Sequence, residues 1–315
     1  MQNPETGDPA NPIDVTDARK RFGTVEALAG ASLQVKRGEL VGLLGPNGAG
    51  KTTMIRAIAG RVALDAGEIR VFGRVVGTRD PRPEIGVVPQ ELAVYGLLTA
   101  RENLEVFAKL YGVDDSSVKE RVDWALKWSD LADRSREPVK RFSGGMKRRL
   151  NIAIGLLHAP KVVLLDEPTV GVDPQSRERI YEMLAELQKS GVAVVLTTHH
   201  LEEAERRCER IVIIDHGKIV AAGTLGELLS TARAGGRTLT LMLDAPWPAT
   251  IAVPDEVTLA EDRRTVTTAV RDGGADVAAR IDGLTRLGVK VQDLSLAGAS
   301  LQDVFIGLTG RELRD

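Results

Sequence analysis

Short apolar runs recur through the first two thirds of the chain, separated by stretches whose apolar residues fall at helical spacing. Ile13–Ala18, Ala31–Val35 and Leu40–Leu44 predict strands, and Lys51–Gly60 predicts a helix. Glu68–Phe72 and Ile85–Val88 are again strand-like, and residues 101–111 and 116–129 predict two helices between sheet-forming regions. A helix opens on Gly-Gly near residue 144. Strand Val162–Leu165, helix Pro174–Lys189, strand Val192–Thr197 and a strand pair around Asp215–Lys218 follow. This alternation predicts an α/β architecture.

Past residue 230 the pattern changes. Lysine almost disappears, leaving Lys290, and Pro246-Trp247-Pro248 and Gly273-Gly274 punctuate the segment. Strands are expected over Thr238–Leu243, Thr265–Val270 and Lys290–Leu294, and helices over Ala275–Leu287 and Ser300–Leu308, which makes a small α+β module. The expected organisation is therefore a polar, disordered lead over 1–12, a large domain over 13–230 with a helical block at about 92–158, and an accessory domain over 231–315.

A chain of 315 residues has room for one large and one smaller domain. Its 43% hydrophobic and 27% charged residues are the balance of a globular protein. The net charge of −2, with no basic arm, weighs against nucleic acid as a partner, because phosphate binding needs clustered Lys and Arg. No run approaches the ~20 apolar residues of a spanning helix, so any membrane association is expected to be peripheral. The polar N-terminus lacks the apolar stretch of a signal peptide. The single Cys208 cannot form an intrachain disulfide, which fits a reducing compartment.

Residues Gly45-Pro46-Asn47-Gly48-Ala49-Gly50-Lys51-Thr52-Thr53 match the phosphate-binding loop G-x-x-x-x-G-K-[ST], between an apolar strand and a helix. Glycines let backbone N–H groups curl around phosphates, and the helix N-terminus adds partial positive charge. Lys51 is placed to reach the β- and γ-phosphates of ATP, and the Thr52 hydroxyl to ligate Mg²⁺. Downstream, Val162–Leu165 delivers Asp166 and Glu167 at a strand end, where ligands of parallel sheets sit. Asp166 is expected to hold Mg²⁺, and Glu167 to act as general base toward the attacking water.

Between these two motifs, Phe142-Ser143-Gly144-Gly145-Met146 opens a further helix. In that position it resembles the signature motif of ATP-binding cassette (ABC) ATPases. The resemblance implies a P-loop fold with a RecA-like core, an antiparallel β subdomain and an α-helical subdomain. It further implies a head-to-tail dimer with a second copy of the chain. ATP would then lie between one copy's P-loop and the Ser143, Gly144 and Gly145 helix start of the other. Four more residues fall where the family has functional groups: Phe22, stacking on adenine; Gln90, reaching Mg²⁺ and water; Asp173, in the loop that communicates across the dimer; and His199, contacting the γ-phosphate. Asp173 also reads as a helix N-cap before Pro174. His200 is expected on the opposite face from His199, and His158 and His216 are read as structural. Phe142 and Met146 replace the family's usual Leu and Gln. A thioether cannot make an amide's hydrogen bonds.

Tyr95–Leu104, Glu167–Gln175 and the tail Ala299–Arg311 resemble the ATP-binding subunits of ABC-2 type exporters, in particular the daunorubicin/doxorubicin resistance group. That implies a subunit at the cytoplasmic face of the membrane, driving efflux of a drug-like, polyketide or lipid compound through a separately encoded permease. The alternative is a soluble cassette protein acting on nucleic acid or ribosomes. Such proteins usually carry coiled-coil insertions, paired cassettes or basic extensions, and this sequence has none.

Overall fold

The computed structural model describes residues 11–77, 83–233, 237–254, 256–270, 273–298 and 300–310. The chain divides into two compact units between Ala222 and Gly223.

The first unit begins with strands β1 (Ile13–Phe22), β2 (Val25–Val35) and β3 (Leu40–Leu44), then helix α1 (Lys51–Ile58). Strands β4 (Ala66–Val71), β5 (Arg74–Val75) and β6 (Ile85–Val88) follow. Next come helices α2 (Ala100–Leu110), α3 (Asp115–Trp128) and α4 (Gly144–Ile154). Strand β7 (Val162–Leu165), helix α5 (Pro174–Lys189), strand β8 (Ala193–Thr198), helix α6 (Leu201–Arg207) and strands β9 (Arg210–Asp215) and β10 (Lys218–Gly223) complete it.

Its central sheet has the order β10-β9-β3-β8-β7-β6, with parallel pairing from β9 through β6. Side chains of successive residues leave a strand on opposite faces, and here both faces are covered. Val41, Leu43, Val162, Leu164 and Val195 pack toward α1 and the antiparallel sheet β2-β1-β4-β5. Leu40, Val163, Leu165, Val194 and Leu196 pack against Ile180, Met183 and Leu184 of α5. A strand buried on both sides has no polar alternation to show, which is why β3, β7 and β8 read as unbroken apolar runs. The helical block closes on its own cluster, including Leu104, Val122, Leu126, Leu150 and Phe142. A reciprocal capping box between Thr99 and Glu102 starts α2.

The second unit holds α7 (Leu225–Arg233), β11 (Arg237–Leu243), β12 (Val257–Leu259), β13 (Thr265–Val270), α8 (Gly273–Arg286), β14 (Val291–Ala297) and α9 (Leu301–Thr309). The antiparallel sheet runs β12-β13-β11-β14. Leu239, Leu241, Leu243, Val266 and Trp247 form its core, and the Trp247 indole donates to Ile251 O at 2.9 Å.

The division at Ala222/Gly223 falls ahead of the expected 230, because α7 packs on α9 of the second unit. Of the expected N-terminal lead, residues 1–10 lie outside the described residues. Pro12 is already tied into the fold, its carbonyl accepting from Phe72 N at 3.1 Å. Ala299 and Arg311 of the tail also lie outside the described residues.

Candidate functional site

The chain leaves β3 at Gly45, turns, and enters α1 at Lys51. Gly50 caps that helix with φ 109°, in the left-handed region, and a Cβ there would overlap Ala27 O. No side chain caps the helix start, so its amides remain directed at the loop's interior, where the helix dipole favours an anion. Lys51 Nζ folds back over the loop and donates to Gly45 O at 2.7 Å and Pro46 O at 3.1 Å. Asn47–Thr53, Val25, Ala27, Gln90 and Glu167 line an open cleft of about 300 Å³. Larger clefts lie between α2 and α3 (about 530 Å³) and beside Trp124 and Trp128 (about 430 Å³). Neither presents a glycine-rich helix start, as the smaller cleft does.

Three other strand ends meet that loop. Asp166 and Glu167 follow β7, His199 follows β8, and Gln90 follows β6 after Pro89. Asp166 Oδ1 accepts from Thr52 Oγ1 at 3.1 Å and from Thr197 Oγ1 at 2.8 Å. The same Thr197 hydroxyl accepts from Glu167 N at 2.9 Å, so one buried threonine fixes both acids. Glu167 has φ 46°, a left-handed conformation rare for a side chain of its kind and typical of strained functional positions. Its carboxylate lies 3.5 Å from Lys51 Nζ and 3.1 Å from His199 Nδ1, and accepts from Gln90 Nε2 at 3.1 Å. Burial pushes the Lys51 ammonium below the usual lysine pKa, and the Glu167 charge opposes that shift. Among the described residues no cluster of three His, Cys, Asp or Glu could hold a metal. The oxygens of Thr52 and Asp166 instead offer the few hard ligands that magnesium takes alongside substrate phosphates.

A second group gathers away from the cleft lining. Ser143 caps α4, its Oγ accepting from Met146 N at 3.2 Å, and a hydroxyl that accepts can still donate. Ser143 and Gly144 are exposed. Gly145 is buried so tightly that a Cβ would overlap the Ser176 side chain at the start of α5. Asp173 caps α5 by accepting from Ser176 N at 2.9 Å, the helix-cap reading made real, and that amide holds its carboxyl below the usual range. The two departures from the signature are absorbed by the helical block: Phe142 is buried there, and Met146 packs against the same cluster.

Phe22 is 50% exposed at the end of β1, with Lys20 Nζ 5.4 Å from its ring centre; it is not a core residue. His158 is structural, its Nε2 3.1 Å from Ile85 O and its pKa lowered by burial. His216 occupies the turn after β9 at φ 46°. The expectation for His200 fails. Its ring centre is 4.1 Å from that of His199, because β8 ends at Thr198 and His200 already caps α6, where strand alternation no longer applies.

Several site residues escaped sequence reading. Thr197 was legible only as a hydroxyl ending an otherwise apolar strand. Arg148 Nη1 and Asn151 Nδ2, both from α4, donate to Pro89 O at 3.2 and 3.3 Å, and Asn151 Oδ1 accepts from Ala93 N at 3.1 Å, so α4 grips both sides of Gln90. Nothing in the local sequence signals that contact.

Residues 28–170 match the family described as ABC transporter. The chain is similar to the linearmycin resistance ATP-binding protein of Bacillus subtilis, at 38% identity over 96% of this chain and 100% of that protein. A daunorubicin resistance ATP-binding protein of Streptomyces coeruleorubidus is 38% identical over 96% and 97% of the two chains. Among solved structures, an ATP-binding subunit of an ABC transporter superposes with a TM-score of 0.63 at 31% identity, covering 70% of this chain and 92% of that one. A dimeric ATP-binding cassette bound to ADP and Pi gives a TM-score of 0.61 at 28% identity, covering 68% and 98%.

Proposed function

The chain belongs to the ATP-binding proteins of ABC transporters, and from that premise we propose that it powers export of a drug-like, polyketide or lipid compound through a separate membrane permease. It is an ATP-hydrolysing subunit of the drug-resistance and export class. The observation that carries the hydrolytic assignment is convergence on Glu167, within 3.5 Å of Lys51 and 3.1 Å of both Gln90 and His199. In this reading the P-loop amides and Lys51 hold the β- and γ-phosphates, and Phe22 stacks on adenine. Glu167 accepts the proton of the attacking water, and His199 keeps that carboxylate oriented toward the γ-phosphate. Thr52, Asp166 and Gln90 would hold a magnesium ion, which supplies positive charge against the phosphates.

The exposed Ser143 and Gly144 helix start, with Asp173 beside it, supports closure of the site by a second copy. Relatives named for resistance to linearmycin and daunorubicin support efflux as the task. Among the described residues no helix is long and apolar enough to cross a membrane. Exposed Leu92, Tyr95, Leu97, Leu110 and Tyr111 on the helical block offer a surface for permease helices at the cytoplasmic face.

Glu167→Gln tests both parts. Turnover should fall on the order of a hundredfold or more, as removal of a general base does, while ATP should trap a dimer on size exclusion. Wild-type turnover in that variant would remove the base assignment. Purification of the tagged chain from its native membranes without a multi-span partner would remove the exporter reading.

A further inference from the structure

Glu203 lies on the short helix α6, yet its carboxylate is turned inward. Its side chain is 6% exposed, whereas Glu202 and Arg206 on the same helix are 72% and 69% exposed. Removing a carboxylate from water is costly unless hydrogen bonds and charge replace the hydration. Glu203 Oε2 accepts from Thr169 Oγ1 at 2.9 Å and from Thr198 Oγ1 at 3.1 Å, and Oε1 stands 3.4 Å from Arg177 Nε.

The two threonines are almost wholly buried, and their positions give the contact its meaning. Thr169 is two residues beyond Glu167; Thr198 immediately precedes His199. Both segments have just left regular structure, Glu167 by its left-handed turn and His199 by the break between β8 and α6. The Thr198 hydroxyl also accepts from His200 N at 3.0 Å, so it fixes the backbone on both sides of His199. Arg177 adds a bond to Val172 O at 3.4 Å, which brings the loop before Asp173 onto the same carboxylate. The neighbouring Tyr181 hydroxyl is buried and its pKa is raised, by burial first and by the Glu203 charge second.

We propose that Glu203 is a positioning residue for hydrolysis: its buried carboxylate ties the segment carrying Glu167 to the segment carrying His199 and so sets the 3.1 Å approach of their side chains. The inference rests on the reading of Glu167 and His199 as the hydrolytic pair. Removing this one partner strands the Thr169 and Thr198 hydroxyls and the Arg177 guanidinium, which costs stability. A purely structural role would therefore lower the denaturation midpoint and leave kcat of the folded chain unchanged.

The test is steady-state ATP hydrolysis by the full chain for wild type, Glu203→Leu, Glu203→Gln and Thr198→Val, with His199→Ala as reference. Misplacing a reacting group by a fraction of its contact distance costs about tenfold to a hundredfold in kcat, and that fall is expected for Glu203→Leu with KM for ATP within about twofold. Glu203→Gln keeps an oxygen that accepts from the hydroxyls and should stay within about threefold of wild type. On a His199→Ala background, Glu203→Leu should add less than about threefold, because groups acting as a unit are not additive. An unchanged kcat in folded Glu203→Leu overturns the proposal, and so does equal loss in the Leu and Gln variants. Should Glu203→Leu fail to fold, Thr198→Val carries the same expectation, and its full activity overturns the proposal. Full turnover by His199→Ala would instead overturn the site assignment and the inference with it.

Discussion

The Lys51 ammonium lies 3.5 Å from Glu167 Oε1, and each side chain is less than a tenth exposed. Burial depresses the Lys51 pKa more than the carboxylate restores it. Triphosphate brought beside Lys51 favours the charged form and raises that pKa. A ligand that raises a pKa binds with proton uptake, so ATP affinity should fall as pH rises through the depressed value, before the ordinary lysine range is reached. Calorimetry in two buffers of unequal ionisation enthalpy checks this. Proton release on binding in the alkaline range would contradict it.

Phe22→Ala separates stacking from folding. The ring is half exposed, so the melting temperature should barely move, a change within about 0.5 kcal/mol. Loss of adenine stacking should weaken ATP binding by about 1–3 kcal/mol. Fluorescent-nucleotide titration reads it, and unchanged affinity would remove Phe22 from the site.

At Gly145 the expectation is steric. A Cβ would overlap the Ser176 side chain, so Gly145→Ala must push apart the starts of α4 and α5. Overpacking of this kind costs roughly 1–3 kcal/mol, visible as a lower denaturation midpoint. A Gly145→Ala chain as stable as wild type, in urea, would mean the two helix starts are not in contact.

Cys208 keeps partial exposure, but its sulfur is turned toward Gly42, and burial, aided by the Glu203 charge, pushes the thiol up to about 12. A raised thiol pKa leaves less thiolate at any lower pH. Alkylation near pH 8 should therefore be at least about a hundredfold slower in the folded chain than in the denatured one. Mass spectrometry after iodoacetamide pulses gives both rates, and comparable values would show the thiol to be accessible.

Much of this is legible in the sequence itself. Motifs fixed by short-range spacing, such as Gly45–Thr53 and Asp166-Glu167, carry their own geometry because a strand end and a helix start hold them. Strands buried on both faces, such as Leu40–Leu44 and Val162–Leu165, were found to the residue because apolar length alone marks them. Helix α6 went unread: at seven residues, Leu201–Arg207 is mostly charged and buries little beyond Glu203 and Ala204. Thr197, Glu203 and Arg148 escaped because their roles depend on partners tens of residues away. The orientation of His200 departs from the strand alternation because β8 ends at Thr198 and the chain has already turned into α6.

The pairing of Leu165 with Leu196 and of Val88 with Leu165 has an implication for chemistry as well as for folding. Were β7 displaced by a single position, Glu167 would arrive where Asp166 now meets Thr52 and Thr197, and Pro168, which can accept no proton, would stand where Glu167 now lies beside Lys51 and His199. The same displacement would turn the alternating apolar side chains of β7 to the wrong layers, since strand side chains repeat every second residue. The hydrophobic layers thus fix which of two adjacent acids faces Lys51 and His199, and in the proposed mechanism a misplaced base is also a packing error.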